Sequence, residues 1–185
     1  MFKTLLMRIA RELASAGLPY MIIGGQAVLL YGSPRLTLDI DITLGVSVDE
    51  MKRVLNTAEG MGLEIIPQDI EAFVKRTFVL PAKDETTGIR IDLIFSFTPY
   101  EREAIERARP ILFDDTPVLF ASMEDVIIHK IFAGRPRDLE DAVTILAKNP
   151  DVDRDYIRKW LKEFDRTMET TDFSRRFAEL SVQAG

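Results

Sequence analysis

Apolar residues recur at helical spacing through residues 2–16, and Gly17 ends the run, which predicts an amphipathic helix. Tyr20 to Ile23 then reads as a short buried strand, and Gln26 to Tyr31 as a short helix closed by Gly32. From Leu36 to Leu44 the period becomes two. Leu36, Leu38, Ile40, Ile42 and Leu44 face one way, and Thr37, Asp39, Asp41 and Thr43 the other, as on a half-buried strand. A helix over 48–59 ends at Gly60 and Gly62. Leu63 to Ile66 follows as a strand and 69–76 as a helix. Phe78 to Leu80 and Ile89 to Phe97 read as strands joined through DETTG. Pro99 starts a charged helix reaching Arg109, and 111–120 holds one or two short strands.

From Ser122 the helical period takes over. Ser122 with Asp125 three residues later is an N-cap pattern. Helices are expected over 123–133, 137–148, 153–166 and 172–182, with breaks at Gly134-Arg135-Pro136, Asn149-Pro150 and Thr170-Thr171. The order implies an α/β (α+β) half, residues 1–121, followed by a helical half, residues 122–185.

Two aspartates two apart on a strand project together, so Asp39 and Asp41 repel unless a proton or a cation intervenes. Their same-face neighbours Thr37 and Thr43 are uncharged, so a divalent cation is the simplest answer, and oxygen ligands suit Mg²⁺ or Mn²⁺. A solvated acidic face is the alternative. In GIRIDLIFSF, Asp92 stands with Arg90 opposite an apolar face. Paired beside residues 36–44, it would complete three carboxylates, a set that can hold two metals roughly 3.5–4 Å apart for nucleotidyl transfer. Gly24-Gly25, between a buried strand and a helix, can be a tight turn. It can also let backbone approach phosphate at a helix N-terminus.

The combination GGQAVLLYG, DID and a later Asp in an apolar strand resembles the polymerase β-type nucleotidyltransferases, with EDVIIHKIFAGRPRDLEDAVTIL downstream. Within that superfamily the chain is most similar to the AbiEii/MenT-like proteins, many of them toxins of toxin–antitoxin systems. The resemblance covers roughly residues 18–147. It implies a mixed twisted sheet flanked by helices, with a C-terminal helical appendage closing a cleft. It implies that Gly24 and Gly25 bind phosphate, Asp39 and Asp41 hold metal with Asp92 as third carboxylate or general base, and Lys130 contacts nucleotide phosphates. Asp138 and Asp141 match the later acidic motif of the nucleotide site. The implied substrates are an NTP and an acceptor hydroxyl on tRNA, protein or a small molecule, and an antitoxin is the implied partner.

On residue type alone, Lys130 can also be a surface lysine in an apolar helix, and Asp138 can serve the helix dipole. Arg135 and Arg137 can bind phosphate or pair with Asp138, Glu140 or Asp141, and His129 is expected to contact Asp125 one turn earlier. Trp160, Leu161, Ile157 and Phe164 form an apolar stripe.

A net charge of -6 argues against a broad nucleic-acid surface and confines any RNA contact to a patch such as Arg35, Lys130, Arg135 and Arg137. The absence of cysteine excludes disulfides and thiolate metal sites. No apolar run is long enough for a membrane span, and Lys3, Arg8, Arg11 and Glu12 interrupt the N-terminal one, so the expectation is a cytoplasmic protein. The alternative to an enzyme is a nucleotide-binding or interaction protein that keeps the fold without catalysis.

Overall fold

A computed structural model describes every residue except Arg35, Phe97, Glu169 and Thr170. Arg35 of the basic patch, Phe97 at the end of a predicted strand and Thr170 at a predicted break therefore lie outside the described residues. The chain forms a seven-stranded mixed sheet in the order β3-β4-β5-β2-β1-β7-β6. The strands are β1 (Tyr20–Ile23), β2 (Asp39–Leu44), β3 (Leu63–Ile65), β4 (Val79–Asp84), β5 (Arg90–Phe95), β6 (Arg109–Phe113) and β7 (Thr116–Phe120). Helices α1 (Phe2–Ser15), α2 (Gly24–Tyr31), α3 (Met51–Gly60), α4 (Ile70–Thr77) and α5 (Pro99–Glu106) are interleaved with them. Then come α6 (Met123–Ala133), α7 (Pro136–Lys148), α8 (Arg154–Thr167) and α9 (Phe173–Ala184).

The alternation in β2 sets the layers. Ile40, Ile42 and Leu44 are fully buried, as are Ile91 and Leu93 of β5 and Leu80 and Ala82 of β4 on the same face. Helix α1 covers that face with Leu5, Leu6, Ile9, Ala10 and Leu13, and its Arg8 reaches Asp84 of β4 in an ion pair. Each fully buried Ile or Leu contributes about 1.5–3 kcal/mol. The opposite face carries Asp39, Asp41 and Asp92 and is roofed by α2 and α6.

Helix α6 is buried almost all round, from Glu124 to Ile128 and at Lys130 and Ile131. Ser122 caps it, its hydroxyl accepting from the Asp125 amide at 3.2 Å and donating to the Asp125 carboxylate at 2.6 Å. Asp125 also accepts from Tyr156 Oη of α8 at 2.9 Å, while Arg107 at the end of α5 lies 3.8 Å from it and 3.9 Å above the Tyr156 ring. This network ties α5, α6 and α8 into one packed unit beside the sheet.

Several boundaries differ from the periodic reading. β2 begins at Asp39, because its pairing with β5 begins at Asp39↔Arg90, and Leu36 and Leu38 are exposed. Phe78 is the left-handed C-cap of α4, so β4 starts at Val79 and runs on through Pro81 to Asp84. Residues 109–120 form a hairpin, β6 to β7, which takes Arg109 away from the expected helix.

Candidate active site

β1 and β5 flank β2 and bring its acidic face into register with theirs. Ile23 stands opposite Asp41 on one side, and Asp92 stands opposite Asp41 on the other. Directly paired residues share a face. Asp41 and Asp92 are thus nearest neighbours across a parallel pair, with Asp39 two residues along. The third carboxylate, 51 residues downstream in sequence, stands beside the first two as the pattern of strand 89–97 implies.

The glycine pair forms the first turn of α2 rather than a loop before it. Gly24 adopts φ +65°, a conformation that favours glycine, and a Cβ there would lie 1.9 Å from Asp41 Oδ2. The backbone at the start of α2 therefore sits directly against the central carboxylate, with the unpaired amides of a helix N-terminus at the same place. The buried Gln26 side chain donates to the Asp39 carbonyl at 3.4 Å, which ties α2 to β2. Gln26 lies within the quoted glycine motif, but a polar residue after two glycines gives no sequence signal for that contact.

The carboxylates differ in their surroundings. Asp39 accepts from Thr37 Oγ1 at 3.0 Å, and Asp92 pairs with Arg90 Nε at 3.0 Å. For Asp41, burial and then the charges of Asp39 and Asp92 push the carboxyl from the usual 3.8 up to about 6, despite the opposing charges of Lys130 and Arg135. Asp41 is the group with an unmet need for positive charge. Among the described residues, no three His, Cys, Asp or Glu side chains are drawn together closely enough to hold a metal ion as they stand. The donor set nevertheless fits a hard divalent cation: three carboxylates on one face, one of them held above its ordinary basicity by its acidic neighbours.

Lys130 is buried and engaged. Its Nζ lies 2.7 Å from Asp138 Oδ1 and 3.0 Å from Asp141 Oδ2. Asp138 also accepts from Arg135 Nε at 2.5 Å. Burial alone would raise the Asp138 carboxyl, but Arg135 and Lys130 together hold it below the usual range. The structure thus joins Lys130, Asp138 and Asp141 into one cluster in which the two acids face the lysine. The Arg135 side chain is 76% exposed, and its charge reaches both Asp41 and Asp39. His129, expected near Asp125, packs instead against Tyr100, ring centroids 5.7 Å apart. The partners of Asp125 are Ser122, Tyr156 and Arg107.

This architecture, a mixed sheet with paired carboxylates beside a glycine-led helix, is that of a nucleotidyltransferase. The chain belongs to the family described as "Nucleotidyl transferase AbiEii toxin, Type IV TA system", whose model matches residues 9–184. Among solved structures it is similar to ANT(2")-Ia in complex with adenylyl-2"-tobramycin, with TM-score 0.60 and 15% identity over 91% of this chain and 98% of that one. It is also similar to an antigenic nucleotidyltransferase-like protein from Paracoccidioides brasiliensis, with TM-score 0.57 and 17% identity over 94% and 90% of the two chains. A third is the lincomycin-bound lincosamide adenylyltransferase LnuA, with TM-score 0.53 and 16% identity over 77% and 94%. At these identities the likeness is one of fold. No curated protein matches the chain. No helix among the described residues is long and apolar enough to cross a membrane.

Proposed function

We propose that the protein is a metal-dependent nucleotidyltransferase that moves a nucleoside monophosphate from an NTP to an acceptor hydroxyl. The observation that carries the reading is the contact of Gly24 with Asp41: a helix N-terminus suited to phosphate and a carboxylate in need of a cation occupy the same spot. Family membership supports the reaction class.

Asp39 and Asp41, with Asp92, would hold Mg²⁺ or Mn²⁺. Bound there, the cations would screen the phosphate charge and lower the pKa of the acceptor hydroxyl. The amides of Gly24 and Gly25 cradle the triphosphate, and Arg135 meets its charge from the rim of α7. Lys130 contributes a fixed positive field at Asp41 from its place between Asp138 and Asp141, and these two acids orient it. Asp92 stands beside Asp41 to take the acceptor proton. The hydroxyl oxygen forms its bond to the α-phosphorus as the bond to the bridging oxygen breaks. The electron pair leaves on pyrophosphate.

The family description names a toxin, so we extend the proposal to a toxin-like activity in the cytoplasm restrained by an antitoxin. The helical half, 122–185, closes the cleft over the sheet in this reading. The test is label transfer from each of four α-labelled NTPs, with Mg²⁺ or with EDTA, into the RNA, protein and small-molecule fractions of a cell extract. Mg²⁺-dependent label in one fraction is expected. No label from any NTP, with no NTP-induced rise in melting temperature, would leave a non-catalytic protein that keeps the fold.

A further inference from the structure

A cavity of about 760 Å³ opens on the carboxylate face one row of residues beyond Asp41 and Asp92. Thr43 follows Asp41 by two on β2, and Ile94 follows Asp92 by two on β5, so both share the acidic face. Ile23, opposite Asp41, also lines it. The far wall is aromatic. Tyr100 packs on Trp160 and Phe164 with centroids 5.2 Å apart in each case. A second cavity of about 620 Å³, between α1 and α3, contains none of the candidate site residues.

The cavity is mostly apolar, with three charged side chains in its lining: Lys159 pairs with Glu103 at 2.9 Å, Glu163 pairs with Arg166 at 2.9 Å, and Glu101 accepts from the Thr98 hydroxyl. Burial and the Lys130 charge hold His129 at about 4, so its imidazole is neutral near pH 7. Four lining residues nevertheless carry buried polar atoms without a hydrogen-bond partner: Thr43 Oγ1, Tyr100 Oη, His129 Nε2 and Trp160 Nε1. Thr43 is 1% exposed and Trp160 is 8% exposed. Buried polar atoms are normally satisfied, and several orphans around one apolar cavity are what a missing ligand leaves behind.

We infer that this cavity receives the acceptor of the transfer reaction, and that the acceptor is a small uncharged molecule with a planar ring and a hydroxyl. The inference rests on the nucleotidyltransferase reading and names the substrate class for it. An RNA backbone would meet, among the described lining residues, only one basic side chain, Lys159, and that is already paired with Glu103. The aromatic wall offers stacking to a ring, and the orphaned donors and acceptors offer it hydrogen bonds. The volume suits a drug-sized molecule and far exceeds a nucleobase. The strand pleat places a hydroxyl at the cavity mouth about 7 Å along from Thr43, at the Asp41–Asp92 row.

Trp160 is the only tryptophan, so its emission reports occupancy. The probe is 4-nitrobenzyl alcohol, which is uncharged, planar, hydroxylated and a quencher of indole fluorescence. Quenching should saturate in the millimolar range, and spermidine should leave the emission unchanged. Ser96→Phe, which fills the cavity from its edge, should weaken probe binding about tenfold and leave the melting shift given by Mg²⁺ plus ATP unchanged. Thr43→Val, which keeps the shape and removes the orphaned hydroxyl, should weaken the probe severalfold while raising the melting temperature. An NTP-induced melting shift with purely linear quenching overturns the assignment and leaves nucleotidyl transfer standing. Equal loss of ATP and probe binding in Ser96→Phe assigns the cavity to the base and overturns the acceptor role. Saturable quenching with no shift from any NTP overturns nucleotidyl transfer, and the acceptor role with it.

Discussion

Replacing Asp41 with Asn should make the metal-free protein more stable, although it removes the central carboxylate of the site. In the fold, burial and the charges of Asp39 and Asp92 lift the Asp41 carboxyl from 3.8 to about 6. An acid whose folded-state pKa is raised stabilises the fold when protonated. That contribution is complete below about pH 4 and is lost as pH rises through 6. A rise from 3.8 to about 6 corresponds to at most about 3 kcal/mol, since each pH unit is 1.36 kcal/mol. Asn reproduces the shape of the neutral acid without the charge. Urea denaturation in EDTA should therefore find wild type and Asp41→Asn equal near pH 4 and the variant ahead by about 2–3 kcal/mol at pH 7.5. Adding Mg²⁺ should reverse the order, because an ion that binds only the native wild type stabilises it by mass action. A variant less stable than wild type at pH 7.5 in EDTA, or a gap independent of pH, would refute the electrostatic account. A gap that Mg²⁺ does not change would refute the metal role of Asp41 and leave the repulsion intact.

Gly24→Ala should abolish the NTP-induced melting shift, because the new Cβ would meet the Asp41 carboxylate at 1.9 Å; an unchanged shift would show that this contact is not part of the binding site. Lys130→Met should destabilise the protein by about 3 kcal/mol in chemical denaturation, since it leaves Asp138 and Asp141 facing each other without the lysine; a loss under 1 kcal/mol would show that the cluster is not structural. Tyr156→Phe should cost about 1–2 kcal/mol by leaving the buried Asp125 one donor short, and a neutral result would show that Ser122 and Arg107 suffice.

Much of the sheet was legible in the period-two runs because one face of each strand is buried and the other carries polar groups. Ile40, Ile42 and Leu44 on one side and Asp39 and Asp41 on the other follow from the alternation alone. Leu36 and Leu38 continue that alternation but precede the first position paired with β5 and are exposed, so a local pattern overstates the element. Pro81 hid β4, since proline weakens a strand reading and only the neighbouring β3 and β5 hold it in place. The aromatic cavity was not legible at all. Thr43, Ile94, Tyr100, His129 and Trp160 come from five separate elements, and each looks locally like ordinary core or helix packing. For Lys130 the sequence pattern supplied all three members of the cluster but not their relation. The turn at Gly134, with φ +67°, folds α7 back along α6 and brings Asp138 and Asp141 to the lysine.

That relation bears on why this site should require cations. Five carboxylates, Asp39, Asp41, Asp92, Asp138 and Asp141, stand against three basic groups, Arg90, Lys130 and Arg135. Two of the acids face the lysine, and Arg90 pairs with Asp92, so the field at Gly24 is governed by Asp41 and Asp39. A triphosphate entering alone would bring further negative charge to a face that already repels it. Such repulsion weakens slowly with distance in a partly buried site, where the effective dielectric is well below that of water. The amides of Gly24 and Gly25 supply only partial positive charge, and Arg135 supplies one exposed cation. Nucleotide and divalent cation should therefore enter as a unit, each weak without the other. Titrating ATP against the protein in EDTA and in Mg²⁺ tests this, and tight binding of free ATP in EDTA would place the triphosphate away from Asp41.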